Sequence, residues 1–200
     1  MPTIEQQPTR AGFRERLLDG LAASIREKGL QGTQISDIVR HARTSRRTFY
    51  ECFADKESCF VELLEASNLA IVEAVRTAVD PTAPWAEQVD QAIDSYLEAL
   101  GSDPALTVTI SRELPTLGTR GADLLHASID RYAQLVLALA ESSRPRRGAR
   151  AKVSLEEAVM LAGGVAEIVG RALLRGEDVR TAAPVIKAVF KAVLDPRRVR

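Results

Sequence analysis

The chain has 200 residues, 46% hydrophobic and 27% charged, with 27 basic and 27 acidic side chains. That is an ordinary globular composition; no apolar run approaches the roughly 18 residues of a membrane span, and the length suits one medium domain or a small domain fused to a larger one. The net charge of zero hides an uneven distribution. Residues 1–59 carry +2, residues 60–143 carry −9 and residues 144–200 carry +7, which suggests different partners for different parts.

Residues 1–9 are polar with two prolines and are expected to form a disordered tail. Nothing behind them resembles a secretory leader, so a cytoplasmic protein with reduced thiols is expected. Phe13, Leu17, Leu21 and Ile25 recur every four residues and predict a helix over 10–28, stopped by Gly29. Thr33 offers a hydroxyl cap for a short helix at 34–41, and Ser45 caps a second at 46–53. Asp55 then opens a long helix, 55–79, with Phe60, Leu63, Leu64, Ile71, Val75 and Val79 in helical register.

Further helices are predicted at 84–100, closed by Gly101, at 104–114, closed by Pro115, and at 119–142. The basic stretch SSRPRRGARAK, 142–152, is expected to be a disordered connection. Ser154 with Glu157 three residues on forms a capping-box pattern for a helix over 154–175. A last helix at 179–194 carries Val185, Ile186, Val189, Phe190 and Val193 on one stripe. No alternating pattern competes, so the fold class is all-α with about nine helices.

Two short helices joined by a tight turn, braced by the helix before them, make a helix-turn-helix unit. In such a unit the N-terminal residues of the second helix face base edges in the major groove. Here they are Arg46, Arg47 and Thr48, and an arginine fork matches guanine O6 and N7 with two parallel hydrogen bonds. Between Arg40 and Tyr50 there are four arginines and no acid. Thr33 and Ser45 at helix starts, Tyr50 through its hydroxyl and Lys56 at the head of the long helix are candidate phosphate contacts. Phe49 and Phe53 should point into the small core. The bland alternative is that adjacent arginines form only a solvated helix face.

The stretch TQISDIVRHARTSRRTFYECFADKESCF resembles the DNA-binding signature of the TetR family of transcriptional regulators. The likeness covers residues about 10–64. It implies that Arg46, Arg47 and Thr48 contact bases or nearby phosphates, and that Thr33, Ser45, Tyr50 and Lys56 contact backbone. It implies three parts: a tail at 1–9, a helix-turn-helix domain at 10–54 and a helical ligand-binding and dimerisation domain at 55–200. Two positions depart from the family pattern. Arg43 stands where the family has a turn glycine, and is either a strained turn residue or an added phosphate contact. Cys52 stands where a histidine or tyrosine often grips phosphate.

The resemblance further implies a homodimer built by the last two helices, with Gly163, Gly164, Val185, Val189, Phe190 and Val193 as interface candidates. It implies a pocket for a small-molecule inducer among the central helices. Candidates for that pocket are Asn68, Trp85, Tyr96, Thr109, Arg112, Glu113 and His126, although each also has an ordinary packing or surface explanation. The expected function is a one-component repressor released from a near-palindromic double-stranded operator by a ligand. The rival readings are a DNA-binding regulator without a ligand and a helical protein–protein adaptor. Catalysis is not expected. His41 and His126 are far apart, Cys52 and Cys59 have no metal-binding companions, and there is no nucleophile elbow or phosphate loop. No cofactor, metal or membrane contact is expected.

Overall fold

The computed structural model describes residues 9–142 and 153–195. Among them are nine α-helices, two 3-10 turns and no strand. The helices group into two compact units, one ending at Ser67 and one beginning at Asn68. The expected tail, apart from Thr9, and most of the basic connection lie outside the described residues.

The first unit holds α1 (Arg10–Gly32), α2 (Ile35–His41), α3 (Arg46–Cys52) and the first turns of α4 (Lys56–Ala78). Thr9 caps α1 by accepting the Gly12 amide. Helical geometry breaks at Gly29, where φ is 72°, and a further short turn runs to Gly32. The core is Leu17, Leu21, Ile25, Ile38, Phe49 and Phe60. α1 and α2 touch at Gly20, where an added Cβ would stand 2.6 Å from the Ile38 carbonyl oxygen. Only glycine permits that approach.

The residue that caps α2 is Gln34, through a reciprocal box with Asp37. The expectation that Thr33 fills this role is corrected. Thr33 is buried, and its hydroxyl donates to the Gly29 carbonyl at 2.7 Å while bonding the Ser24 hydroxyl at 2.9 Å. A buried hydroxyl that finds two partners inside has none to spare for a helix terminus.

The second unit continues with α5 (Trp85–Ser102), α6 (Pro104–Glu113), a 3-10 turn, α7 (Gly118–Ser142), α8 (Leu155–Leu174), a second 3-10 turn and α9 (Ala183–Leu194). Gly101 does not close α5. The helix runs one residue further and stops at Asp103, whose carboxylate caps α6 by accepting the Leu106 amide. Ser154 and Glu157 form the capping box at the head of α8. The core is built from Val89, Ile93 and Leu97 of α5, Ala133 and Val136 of α7, Leu161, Val165 and Val169 of α8, and Ile186, Phe190 and Leu194 of α9. At its edge Lys187 pairs with Asp94 and Lys191 with Asp90, both at about 2.7 Å, fastening α9 to α5 in antiparallel register.

Candidate nucleic-acid interface and an internal cavity

α3 separates its side chains cleanly. Phe49 and Cys52 are buried, and Phe49 meets Phe53 at 5.7 Å between ring centroids. Arg46, Arg47, Tyr50 and Glu51 are exposed, Tyr50 at 59% although it is aromatic. An exposed aromatic beside two arginines is an unusual surface that suits a polyanion. Ser45 caps the helix by accepting the Thr48 amide at 3.1 Å, and the two hydroxyls bond each other at 2.9 Å. Arg47 is held by Glu51 one turn on, at 3.0 Å. A pair so exposed is worth little and is easily exchanged for another partner.

The turn between α2 and α3 is made by Arg43, which has a positive φ of 49°. It is the one non-glycine residue with this geometry among the described residues. Arg16 of α1 clamps the turn, donating to the carbonyls of Ala42 at 3.0 Å and Arg43 at 2.7 Å. The side chain of Arg43 is exposed.

Two residues expected to reach outward instead hold the unit together. Thr33 is the buried hydroxyl described above. Lys56 donates to the carbonyls of Leu30 at 2.8 Å and Thr33 at 2.9 Å, tying the start of α4 to the end of α1. Those are helix-end carbonyls that a cation satisfies well. Cys52 is also a core residue. The sequence reading missed Arg14. It donates to Glu62 and to the Cys52 carbonyl at 2.7 Å, with its guanidinium 4.6 Å from the Phe53 ring centroid. The Glu62 carboxylate raises its pKa above the ordinary arginine value. One side chain thereby joins α1, the end of α3 and α4 within this unit.

Residues 17–63 match the family model for bacterial regulatory proteins of the tetR family. The N-terminal unit is a TetR-family domain. The uncharacterized HTH-type transcriptional regulator YxbF of Bacillus subtilis (strain 168) is 29% identical over 96 residues, 48% of this chain. The chain spans only about a quarter of that relative, 24% of its length. Solved structures extend the likeness of fold beyond the TetR-type domain. A TetR-like transcriptional regulator from Rhodococcus sp. RHA1 is 21% identical with a TM-score of 0.62, over 96% of this chain and 100% of its own. The fatty acid degradation regulator FadR from Bacillus halodurans is 16% identical with a TM-score of 0.70, over 93% and 96%. FadR from Bacillus subtilis, solved with stearoyl-CoA, is 17% identical with a TM-score of 0.66, over 88% and 96%.

The second unit holds a partly open cavity of about 330 Å³, within the range of small-molecule sites. Its walls are apolar, with Val75 from α4, Val79 just past its end, Ile93 from α5, Leu135 and Leu139 from α7, Val165 from α8 and Phe190 from α9. Four polar side chains interrupt them: Arg76, Gln88, Tyr96 and Tyr132. The Tyr132 hydroxyl donates to Asn68 at 2.6 Å, and the Asn68 amide donates to Ser128 at 2.8 Å. The Tyr96 and Tyr132 rings meet edge to face at 5.2 Å. Burial pushes the Tyr132 hydroxyl up to about 12 and raises that of Tyr96 as well, so both remain neutral phenols at neutral pH.

Of the residues expected to line a pocket, Tyr96 does so and Asn68 stands one hydrogen bond behind Tyr132. Trp85, Thr109, Arg112, Glu113 and His126 are not on the cavity wall. Trp85 packs against the core, while Arg112 and His126 are exposed. Arg76, Gln88 and Tyr132 were missed. Among the interface candidates, Val185 is 53% exposed and Val189 47%, Gly164 is exposed, and Gly163 and Val193 are half-buried. Phe190 is corrected: it is buried in the core and borders the cavity. The exposed apolar residues of α8 and its end, Met160, Ile168 and Leu174, were not foreseen.

Proposed function

We propose that the protein is a DNA-binding transcriptional regulator, a repressor released from a near-palindromic operator by a small-molecule ligand. The observation that carries this is α3, a capped helix with its apolar side sealed and Arg46, Arg47 and Tyr50 displayed together, within a domain of TetR type. Arg46, Arg47 and Thr48 would read base edges or adjoining phosphates, while Arg43, Ser45 and Tyr50 would grip the backbone. Such a role operates beside the chromosome, in the cytoplasm.

Support for a ligand comes from the partly open, mostly apolar cavity with few polar groups. α4 contributes Val75 and Arg76 to that cavity, and the same helix begins at Lys56 in the DNA-binding unit. A ligand that favours one placement of α4 over another would shift the population away from the operator-competent state. Support for a homodimer comes from the exposed apolar residues of α8 and α9.

Fluorescence anisotropy with duplexes from the protein's own upstream region tests the reading. Binding should weaken steeply with salt. Arg47→Ala should cost about 1–3 kcal/mol and relax sequence preference, whereas Tyr50→Phe should weaken all sequences alike. Binding that is absent, or indifferent to salt, would sink the DNA-binding role.

A further inference from the structure

We propose that the cavity takes an apolar organic anion, an aliphatic or aromatic carboxylate, with its body against the apolar walls and its charged head met by Arg76. The proposal rests on the ligand-responsive reading and specifies the ligand's chemistry. The charge of residues 60–143, −9, would by itself point to a cationic ligand. The cavity says the opposite. Among the described residues no carboxylate lines it, and the one charged side chain on its wall is Arg76. A cation placed there would lose water, gain no counter-ion and face a like charge.

Arg76 is both exposed and on the cavity wall, so its guanidinium is within reach of the opening. It has no ion pair among the described residues. The two acids nearest on its own chain do not engage it: Glu73 is exposed with no ion pair to it, and Asp80 holds the Thr82 hydroxyl at 2.7 Å and amide at 2.8 Å. The planar fork is thus left for a carboxylate, which it matches in two parallel bonds.

Inside the cavity the polar groups also ask for an acceptor. The Tyr96 hydroxyl has no hydrogen-bond partner among the described residues, whereas its neighbour Tyr132 has Asn68. Tyr96 is half-buried and on the cavity wall, so its hydroxyl is a donor that an occupant can use. Being held neutral by burial, it donates. The Gln88 amide nitrogen already serves the Ala83 carbonyl at 2.8 Å. Arg76 and Tyr96 therefore both present donors, and a carboxylate supplies acceptors without bringing a donor that would go unmatched.

The test is calorimetric titration of the full chain with decanoate, 4-butylbenzoate, decanol and decylamine. The two carboxylates should bind once per chain, about tenfold or more tighter than the alcohol or the amine. Arg76→Ala should erase that tenfold preference, weakening decanol far less than the carboxylates, and because Arg76 is exposed the variant should fold, as circular dichroism would verify. Tyr96→Phe should weaken the carboxylates several-fold. If decanol or decylamine binds as tightly as the carboxylates, or if Arg76→Ala keeps the preference, the anion proposal is overturned and the ligand reading survives. If none of the four binds, the anion proposal falls, while the ligand reading, which rests on the cavity, is judged by operator release with other small molecules.

Discussion

At the scale of single residues, Arg43 and Cys59 make separable claims. Arg43 occupies a left-handed turn that suits glycine, at a strain of about 1 kcal/mol for a side-chain-bearing residue. Its backbone carbonyl, not its side chain, is what Arg16 holds. Arg43→Gly should therefore raise stability by about 0.5–1 kcal/mol, read from a urea transition. If the arginine grips phosphate, the same variant should bind DNA more weakly and with a salt slope smaller by about one. A gain in stability with unchanged DNA binding would assign Arg43 to the turn alone. Cys59 is fully buried, and burial pushes its thiol up to about 12 from an ordinary 9.0. The folded state keeps the proton that the unfolded state gives up. The stability this represents is whole below pH 9 and declines as pH rises toward 12, at no more than about 1.4 kcal/mol per pH unit. Tyr132, raised from an ordinary 10.0 to about 12, adds to the decline above pH 10. Cys59→Ala should flatten the alkaline limb of a stability-against-pH curve, and a native thiol titration at pH 8 should leave Cys59 unmodified.

At the scale of helices, the α1–α2 contact turns on Gly20. A Cβ there would meet the Ile38 carbonyl oxygen at 2.6 Å and the Ala42 amide nitrogen at 3.0 Å. Both are backbone atoms of the helix-turn-helix and cannot swing aside. Gly20→Ala gains about 1 kcal/mol of helix propensity, but overpacking costs about 1–3 kcal/mol, and moving α2 also disturbs α3. The variant should melt lower and bind DNA more weakly, a result that calorimetry and anisotropy would read together. An equally stable variant would mean that the helices do not approach as closely as described. What could be read from the sequence here was local. Ser45, Asp55 and the Ser154–Glu157 pair announce helix starts because a cap acts within three residues, and Phe49 and Phe53 follow from helical spacing. Thr33 and Lys56 were misread because their partners are remote. Ser24 lies nine residues back and the Leu30 carbonyl 26, and residue type cannot show that a hydroxyl or an ammonium already has an internal acceptor. Arg14 was invisible for the same reason, since Glu62 is 48 residues away. The pocket candidates failed differently. Polarity on a helical stretch does not reveal which face it occupies, so Arg112 and His126, both exposed, were indistinguishable from Tyr96, while Tyr132 passed unnoticed.

At the scale of the whole molecule, the decisive question is what covers α8 and α9. Met160, Gly164 and Ile168 follow one another at intervals of four on α8, and all three are exposed. On α9, Val185 and Val189 repeat the interval at 53% and 47% exposure. A Cβ added at Gly163, Gly164 or Gly170 would touch nothing within 4 Å. These glycines therefore serve no close packing among the described residues, yet each costs about 1 kcal/mol of helix propensity. That cost has a rationale if a second copy lays its own helices against this face, because small residues let backbones approach. Two variants separate this from an accident of sequence. Gly164→Ala should stabilise an isolated chain by about 1 kcal/mol, but should weaken a dimer whose helices cross at that point. Ile168→Glu combined with Val189→Glu puts two charges on exposed positions, so the helical content should be unchanged while an apolar interface would be disrupted. Sedimentation equilibrium at micromolar concentration should show the native chain as a dimer and the double variant as a monomer. The monomer should lose cooperative binding to a two-half-site operator, since one reading helix contacts only one half-site. A native chain that sediments as a monomer, or a double variant that stays dimeric, would remove α8 and α9 as the interface and with it the expectation of a near-palindromic operator.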